Sequence, residues 1–164
     1  MIHIGLLSDT HGFIDERLYN FFENVDEIWH AGDIGTIETA HRLKAFKPLK
    51  AVFGNIDNHE IRLEYPGFLR FACEGTDVFI THIGGYPGHY EPVVRNVITV
   101  NPPKLLICGH SHILKVIYDK KFSLLHINPG AAGNSGFHKV KTAIRFNIDG
   151  SEIKNLEIWE SPRG

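Results

Sequence analysis

Apolar runs and helical periodicity alternate along the first third of the chain. Ile2 to Leu7 is a short apolar run that predicts a strand. After it, apolar residues recur at intervals of three to four residues, at Ile14, Leu18, Phe21 or Phe22, and Val25. This spacing predicts an amphipathic helix that packs one side against the rest of the fold.

The same alternation follows in the next segment. Glu27 to Ala31 and Leu49 to Phe53 predict two more strands, and a helical pattern separates them. Thr36 is the expected N-cap of that helix, which runs through Phe46 and is closed by Pro48. Strands that alternate with helices predict a parallel sheet with crossover helices, and the ligands of such sheets bind beyond the carboxyl ends of the strands.

The middle and the end of the chain change to antiparallel patterns. Phe68 to Cys73 and Asp77 to Thr81 flank a short polar turn and predict a hairpin. Glu91 and Pro92 suit the first turn of a short helix. The remaining apolar runs predict strands at Lys104 to Cys108, Ile113 to Tyr118, Phe122 to Ile127, Thr142 to Ile148 and Glu152 to Trp159. We interpret residues 1–164 as one domain, with βα units first and antiparallel strands later.

Composition narrows the classes of function. A formal net charge of −2 gives no general basic field, so there is no strong nucleic-acid signal. The apolar run at the N-terminus ends at Asp9, short of a signal peptide, and no run is long enough for a membrane span. Cys73 and Cys108 stand apart, which is typical of reduced cysteines in a cytoplasmic protein, with one disulfide as the alternative. Eleven histidines favour metal chemistry because packing alone does not need so many.

Polar side chains follow five of the predicted strands, where each apolar run ends. Asp9 and His11 follow the first strand, and on their own they fit either a metal-binding pair or a polar turn, of which the turn is the commoner. We call these five polar strand ends the strand tips, and the other four carry Asp33, Asn55, His82, and His110 with His112. Each of these side chains offers an oxygen or a nitrogen that a divalent cation accepts. If the tips converge, they supply seven ligands for two cations, with one carboxylate bridging them at a metal separation of about 3.5 to 4 Å.

In order and residue type, these motifs resemble those of the calcineurin-like metallophosphoesterases. The motifs are Asp9-Thr10-His11, Gly32-Asp33, Gly54-Asn55-Ile56-Asp57, His82 and Gly109-His110-Ser111-His112. The resemblance covers about residues 2 to 130, including Asn128-Pro129-Gly130. Chain length and the lack of a cap domain are closest to the small YfcE-type phosphodiesterase branch. The resemblance implies an α/β fold, a four-layer α/β/β/α sandwich with two mixed sheets.

The resemblance also implies a role for each tip. One metal ion would be held by Asp9, His11, Asp33 and His112, and the other by Asp33, Asn55, His82 and His110, with Asp33 as the bridge. Asp33, Asn55 and His82 are the residues that we expect to take a direct part in catalysis. Manganese is the expected metal, with iron, zinc or nickel as alternatives. The two ions would lower the pKa of a bridging water, and the resulting hydroxide would attack the phosphorus of a small phosphodiester.

One position departs from the family pattern. Ile56 follows Asn55, where many members have a histidine and the small branch often has a cysteine. Isoleucine cannot protonate the departing oxygen, so either another group does so or the preferred esters need no such help. His59, His89 and His138 lie near the motifs in sequence, but an exposed loop histidine is the simpler interpretation for all three.

Several other residues receive structural interpretations. His30 is expected to be a hydrogen-bonded strand histidine, and Lys139 and Lys141 are expected to be solvated. Cys108 is expected to be a core residue rather than a nucleophile. Asp57 has two interpretations, as a group that orients a ligand and as the acceptor of a local turn hydrogen bond.

The main hypothesis is a dinuclear metal-dependent phosphoesterase that acts on a small phosphate ester and has no membrane partner. A homo-oligomer is compatible with this hypothesis. The alternative is not an enzyme, because the same fold also occurs in a retromer-subunit-like scaffold or interaction module. The intact set of predicted ligands favours the enzyme.

Overall fold

Ten strands and four helices follow one another along the chain. The structure, a computed structural model, describes residues 1–164 without a gap. The strands are β1 (Ile2–Leu7), β2 (Glu27–His30), β3 (Leu49–Ala51), β4 (Phe68–Cys73), β5 (Thr76–Thr81), β6 (Leu105–Ile107), β7 (Leu114–Asp119), β8 (Leu124–Pro129), β9 (Val140–Asp149) and β10 (Glu152–Pro162). The helices are α1 (Arg17–Phe21), α2 (Ile37–Phe46), α3 (His59–Glu64) and α4 (Pro92–Val100).

The strands form two mixed five-stranded sheets. The order in the first sheet is β10-β9-β1-β2-β3, in which β1, β2 and β3 are parallel and β9 and β10 are antiparallel. The order in the second sheet is β4-β5-β6-β8-β7, in which β5, β6 and β8 are parallel and the two edge strands are antiparallel. The parallel strands of each sheet therefore end along one edge, and the predicted polar tips follow those ends.

An apolar core fills the space between the two sheets. Ile4 and Trp29 of the first sheet pack there with Ile80 and Ile107 of the second sheet, and all four are fully buried. Burying an aliphatic or aromatic side chain of this size contributes roughly 1.5 to 3 kcal/mol. This shared core holds the sheets face to face, so the loops at their ends keep a fixed relation to one another.

Helices cover the outer face of each sheet. Leu18 of α1 and Leu43 of α2 pack with Ile28 on the first sheet. On the second sheet, α4 buries Val94 and Ile98 in a separate apolar cluster. With a helical layer outside each sheet, the fold is the four-layer α/β/β/α sandwich that the sequence resemblance implied, and the predicted fold class is confirmed.

Two helices differ from the sequence predictions. The apolar positions between Ile14 and Val25 pack on the first sheet as predicted, but only Arg17–Phe21 is helical and the flanking residues form turns and loops. The helix α3 was not predicted, because it has only six residues and one buried side chain, Ile61, and is too short for a periodic signal. Its N-cap could have indicated it, since the Asn58 side chain accepts a hydrogen bond from the Ile61 backbone N–H.

Most other local predictions are confirmed. The Thr36 side chain caps α2 by accepting a hydrogen bond from the Thr39 backbone N–H. Pro92 occupies the first turn of α4. Cys73 and Cys108 are both buried and free. No helix in the structure is long and apolar enough to cross a bilayer.

The prediction of a solvated Lys141 is wrong, whereas Lys139 is exposed as expected. The Lys141 side chain is buried, and its Nζ atom lies 2.8 Å from Asp15 Oδ2. The partner carboxylate is remote in sequence, so no local pattern around Lys141 could have revealed it.

Candidate metal centre

The strand tips converge where the parallel strands end. Five loops meet there, one after each of β1, β2, β3, β5 and β6. Together they carry the seven predicted ligands: Asp9, His11, Asp33, Asn55, His82, His110 and His112. Six of the seven fall into two groups of three, in each of which the nitrogen and oxygen atoms lie within 4.8 Å of one another.

Asp9, His11 and His112 form the first group. Asp9 Oδ1 lies 3.2 Å from His112 Nε2 and 3.9 Å from His11 Nε2. One carboxylate oxygen therefore faces two imidazole nitrogens. This is a donor set that first-row divalent metals accept.

Asp33, His82 and His110 form the second group. Asp33 Oδ2 lies 3.2 Å from His82 Nε2, and it also lies 3.5 Å from His11 Nε2 in the first group. Asn55 Oδ1 lies 3.1 Å from His110 Nδ1, so the asparagine amide borders the second group. Asp33 is thus positioned between the two groups, as the predicted bridging residue would be.

Three buried polar atoms at this place have no hydrogen-bond partner: Asp9 Oδ1, His11 Nε2 and His82 Nε2. Leaving one such atom unpaired costs about 1 to 3 kcal/mol, more when it is charged, so buried polar groups are normally paired. Two of the atoms come from the loop after β1 and the third comes from the loop after β5, and all three face a common space. Divalent cations in that space would satisfy all three, so the residues present fit the metal that the sequence implied.

The ring orientation of His82 supports this fit. Its Nδ1 atom lies 2.8 Å from the Ala31 carbonyl oxygen, which can only accept, so Nδ1 donates. In the neutral ring, Nε2 then carries a lone pair and points towards Asp33 Oδ2 at 3.2 Å. The two atoms are close but are not aligned for a hydrogen bond. A fixed Nδ1–H with a free Nε2 is the usual arrangement of a metal-binding histidine.

Charges at the centre shift several pKa values. Burial acts to raise the pKa of Asp9, but the interactions with His11, His112 and His82 outweigh burial and lower that pKa well below its usual range. The Asp9 carboxylate raises the pKa of His11. Burial acts to lower the pKa of His82, but the carboxylates of Asp33 and Asp9 outweigh it and raise that pKa. Protons and cations therefore compete for the same imidazole nitrogens.

The backbone of the tips is unusual. Positive φ angles occur at five of the predicted ligands: Asp9 (54°), His11 (48°), Asp33 (55°), His110 (70°) and His112 (63°). A left-handed backbone is uncommon for residues other than glycine, although Asp and His tolerate it better than most. Such strain clusters at functional sites because the surrounding structure must enforce it. Here it turns the chain sharply at the strand ends.

Glycines next to the ligands permit the close approach of the loops. A Cβ atom at Gly54 would collide with the Asp33 side chain, and one at Gly109 would collide with Ser8 and Asp9. These two motif glycines therefore let neighbouring loops pack against the predicted ligands.

Asp57 joins the loop that carries Asp33 to the loop that carries Asn55. Its carboxylate accepts hydrogen bonds from the backbone N–H groups of Ile34 (3.1 Å), Gly35 (2.8 Å) and Gly54 (2.8 Å). Both sequence interpretations of Asp57 therefore hold, because the Gly54 bond is a local turn contact and the other two position the Asp33 loop.

Further hydrogen bonds fix the position of Asp9 and of the loop that carries His110 and His112. Ser8 Oγ donates to Asp9 Oδ2 at 2.7 Å, and the His110 backbone N–H donates to the same oxygen at 3.1 Å. The Asn128 side-chain amide donates to the Gly109 carbonyl oxygen at 2.9 Å and to Ser111 Oγ at 3.1 Å. Sequence reasoning missed Ser8, for which adjacency to Asp9 was the available signal.

His30 shows how a structural histidine differs. It is fully buried, its Nδ1 accepts from the Gly32 backbone N–H at 3.1 Å, and its Nε2 lies 3.0 Å from Thr10 Oγ1. Burial lowers its pKa to about 4, so the ring is neutral. With both nitrogens paired, His30 is the hydrogen-bonded strand histidine that was predicted.

Of the three loop histidines near the motifs, two are exposed and one contacts the centre. His59 begins α3 and His89 lies in the loop before α4, and both are exposed as expected. His138 is half-buried, with its ring 5.2 Å from that of His112, and its Nε2 lies 2.7 Å from the Gly133 carbonyl oxygen. Sequence proximity alone did not separate His138 from the other two.

The family assignment follows from comparison with known proteins. The family model for the calcineurin-like phosphoesterase superfamily domain matches residues 2–151. The chain belongs to the calcineurin-like phosphoesterase superfamily. A relative in this superfamily, a probable metallophosphoesterase of Methanothermobacter thermautotrophicus, is 30% identical over 135 residues, which are 78% of this chain and 76% of the relative.

Two solved structures show how widely this phosphoesterase fold is used. A single-mutant Vps29 of Entamoeba histolytica superimposes with a TM-score of 0.78 at 14% identity and covers 98% of this chain and 99% of its own. An archaeal protein described as a novel phosphodiesterase superimposes with a TM-score of 0.74 at 22% identity, over 96% of this chain and 100% of its own. At these identities the likeness shows the fold alone.

Proposed function

We propose that this protein is a metal-dependent phosphodiesterase that hydrolyses small phosphodiesters. The observation that carries the proposal is the set of unpaired buried atoms on Asp9, His11 and His82, which face one another at the end of the parallel strands. A merely structural cluster would pair these atoms within the protein. Two groups with the Asp33 carboxylate between them are the arrangement expected of a dinuclear hydrolytic site.

Each of the two cations would be held by its own set of residues, with one residue in contact with both. Asp9, His11 and His112 would hold the first ion, Asn55, His82 and His110 would hold the second, and Asp33 would contact both. Bound divalent ions at such a site lower the pKa of water and neutralise negative charge that develops on phosphorus. Manganese is the proposed metal, with iron, zinc or nickel as alternatives that suit the same nitrogen and oxygen donors.

The side chains around the ions bind and orient the ester. The Asn55 side chain is exposed, and its amide Nδ2 can donate to a phosphoryl oxygen. His82 keeps its orientation because its Nδ1 donates to Ala31. In the hydrolysis, the oxygen of one water forms a bond to phosphorus and gives up a proton, the bond from phosphorus to the leaving oxygen breaks, and the leaving alkoxide takes up one proton from the solvent or from a donor side chain.

Ile56 stands where many relatives of this family have a proton donor for the leaving oxygen, and it cannot supply that proton. Its backbone N–H donates to Asp33 Oδ1 at 3.1 Å, so this part of the residue supports the predicted bridge. Its side chain is 47% exposed and carries no proton donor. Esters whose alcohol leaves readily as an anion are therefore the preferred substrates.

The direct test is hydrolysis of bis(p-nitrophenyl) phosphate by the metal-free protein, with and without added Mn²⁺. We expect turnover that requires the metal and is abolished by a chelator. If Mn²⁺, Fe²⁺, Zn²⁺ and Ni²⁺ all fail to give turnover, the phosphodiesterase is refuted and the non-enzymatic interaction module, which the fold shared with Vps29 allows, takes its place.

The role of Ile56 is tested with phenyl methyl phosphates whose phenol pKa is varied. We expect the rate to fall steeply as the phenol becomes less acidic, and we expect Ile56→His to flatten the dependence by restoring a donor. A flat dependence for the unaltered protein would mean that another group supplies the proton.

A further inference from the structure

A depression lies directly beside two of the predicted ligands. It has a volume of about 340 Å³, and Asn55 and His82 form part of its lining. This volume is at the lower end of the roughly 300 to 1,000 Å³ of small-molecule pockets, which suits a group of a few carbon atoms rather than a polymer. A phosphate held at Asn55 and His82 would direct one of its ester groups into this depression.

Two of the eight residues that line the depression carry large apolar side chains, Phe53 and Ile83. The backbone of Gly67 lies close to the Phe53 ring, because a Cβ atom there would come within 3.1 Å of it. Ile83 directly follows His82 and is 38% exposed. An apolar group of a bound ester would therefore find apolar side chains beside a predicted metal ligand and would gain by contact with them.

The only charged side chain in the lining is that of Arg62. Its Nε donates to the Asp57 carbonyl oxygen at 2.8 Å, and its Nη2 lies within 3.3 Å of the carbonyl oxygens of Gly54 and Asn55. The guanidinium lies 4.4 Å from the centre of the Phe53 ring. Arg62 is thus held against the wall by backbone contacts, and its positive charge disfavours a cationic ester group.

We propose that this depression binds an apolar, uncharged alkyl or aryl ester group of the substrate, with Phe53 and Ile83 as the residues that determine specificity. The inference rests on the proposed phosphodiesterase function and specifies its substrate class. The positive charge of Arg62 disfavours an ester group that carries a quaternary ammonium, and a single arginine in the lining gives no extended basic surface for a long polyanionic strand.

The test uses methyl, butyl and hexyl p-nitrophenyl phosphates, which share one charge and one leaving group and differ only in the retained chain. We expect kcat/KM to rise by up to about fourfold for each methylene that enters the depression, because burying one contributes about 0.8 kcal/mol. An ester with a trimethylammonioethyl chain should lie well below the butyl ester. A change of less than about twofold from methyl to hexyl would overturn the proposal.

Substitutions test whether the dependence of kcat/KM on chain length arises in the depression. Ile83→Thr keeps the branching at Cβ but replaces the ethyl group by a hydroxyl, and it should flatten the chain-length dependence. The matched control is Ile158→Thr on β10, where the isoleucine is 45% exposed and does not line the depression. The control should keep the full dependence. Equal flattening by both substitutions would contradict a localised site.

A second readout does not depend on turnover. Calorimetric titration of the Mn²⁺-loaded protein with methyl-, butyl- and hexylphosphonate should show a Kd that falls with chain length, and Ile83→Thr should remove the trend. If no ester is hydrolysed but the trend in Kd is present, the proposed phosphodiesterase fails and the apolar subsite stands. If esters are hydrolysed without dependence on chain length, the subsite fails and the phosphodiesterase stands.

Discussion

Two clusters of buried charge in this protein differ in how completely the protein itself satisfies them. One is the candidate metal centre around Asp9 and Asp33. The other joins Asp15 to Lys141 and Arg17: Lys141 Nζ lies 2.8 Å from Asp15 Oδ2, and Arg17 Nε lies 2.9 Å from Asp15 Oδ1. Both oxygens of the Asp15 carboxylate are paired, whereas Asp9 Oδ1 has no partner. The cluster of Asp15, Arg17 and Lys141, here called the closed cluster, has its charges paired, as is typical of structural stabilisation. The cluster around Asp9 and Asp33, here called the open cluster, has converging donor atoms without partners, which indicates a site for a cation.

The largest effect should come from Asp33→Asn, which removes the carboxylate that lies between the two groups. We expect turnover with Mn²⁺ to fall by more than about a thousandfold, which exceeds the usual loss from removing one catalytic hydrogen-bond donor. Far-ultraviolet circular dichroism should show an unchanged fold. The matched control is Asp77→Asn, which alters a partly exposed carboxylate paired with Arg70 and should keep turnover within about twofold. Comparable activity in both variants would refute a bridging role for Asp33.

In the closed cluster, Asp15→Asn should affect stability rather than chemistry. The substitution leaves the buried Lys141 ammonium without its counter-charge, so we expect the free energy of unfolding to fall by about 3 kcal/mol. Urea denaturation of the metal-free protein measures this directly.

The control for Asp15→Asn is Asp149→Asn, which breaks an exposed pair with Lys154 and should cost no more than about 1 kcal/mol. Equal losses in the two variants would show that burial of the Asp15 cluster does not decide its contribution to stability.

A smaller effect should follow from Asn128→Ala, which removes two side-chain donors from the loop that carries His110 and His112. Residues that orient metal ligands typically contribute about 10- to 100-fold to metal affinity, and we expect a weakening of Mn²⁺ binding in that range. Calorimetric titration provides the measurement. Asn24→Ala, at an exposed position outside the centre, should bind Mn²⁺ as the unaltered protein does.

The smallest and most gradual effect is a pH dependence confined to the open cluster. The folded-state pKa values of His11 and His82 are raised, so their contribution to metal-free stability is fully present below the unfolded value near 6.5 and is lost as the pH rises through the raised values. Metal binding requires the unprotonated rings, so Mn²⁺ affinity should increase over the same range. Denaturation and titration at several pH values check both trends. Parallel trends in stability for the metal-free and Mn²⁺-loaded proteins would contradict the competition.

Sequence reasoning located the open cluster because its signal is local. Each tip follows an apolar strand, and the parallel arrangement of the strands brings such tips to one edge. The closed cluster has no comparable signal, since Asp15 and Lys141 stand far apart in the chain and each resembles an ordinary surface charge. The same limit applies to Asp57, whose bonds to Ile34 and Gly35 depend on a neighbouring loop.

Backbone conformation was equally out of reach of sequence patterns. The left-handed residues Asp9, His11 and Asp33 look like ordinary loop residues in sequence, because Asp and His are common in turns of every type. The short helix α3 was missed since a helix of this length depends on its cap and on tertiary contacts rather than on periodicity. In contrast, the alternation of strands and helices predicted the parallel strands β1, β2 and β3, and the turn residues predicted the hairpin of β4 and β5. The division into two sheets followed only from the family resemblance.

The most direct test of the candidate metal centre is anomalous diffraction from a crystal of this protein soaked with Mn²⁺. Two strong anomalous peaks about 3.5 to 4 Å apart are expected, one against Asp9, His11 and His112 and the other against Asn55, His82 and His110, with Asp33 between them. Full Mn²⁺ occupancy elsewhere on the molecule, with no peak between these side chains, would contradict the assignment.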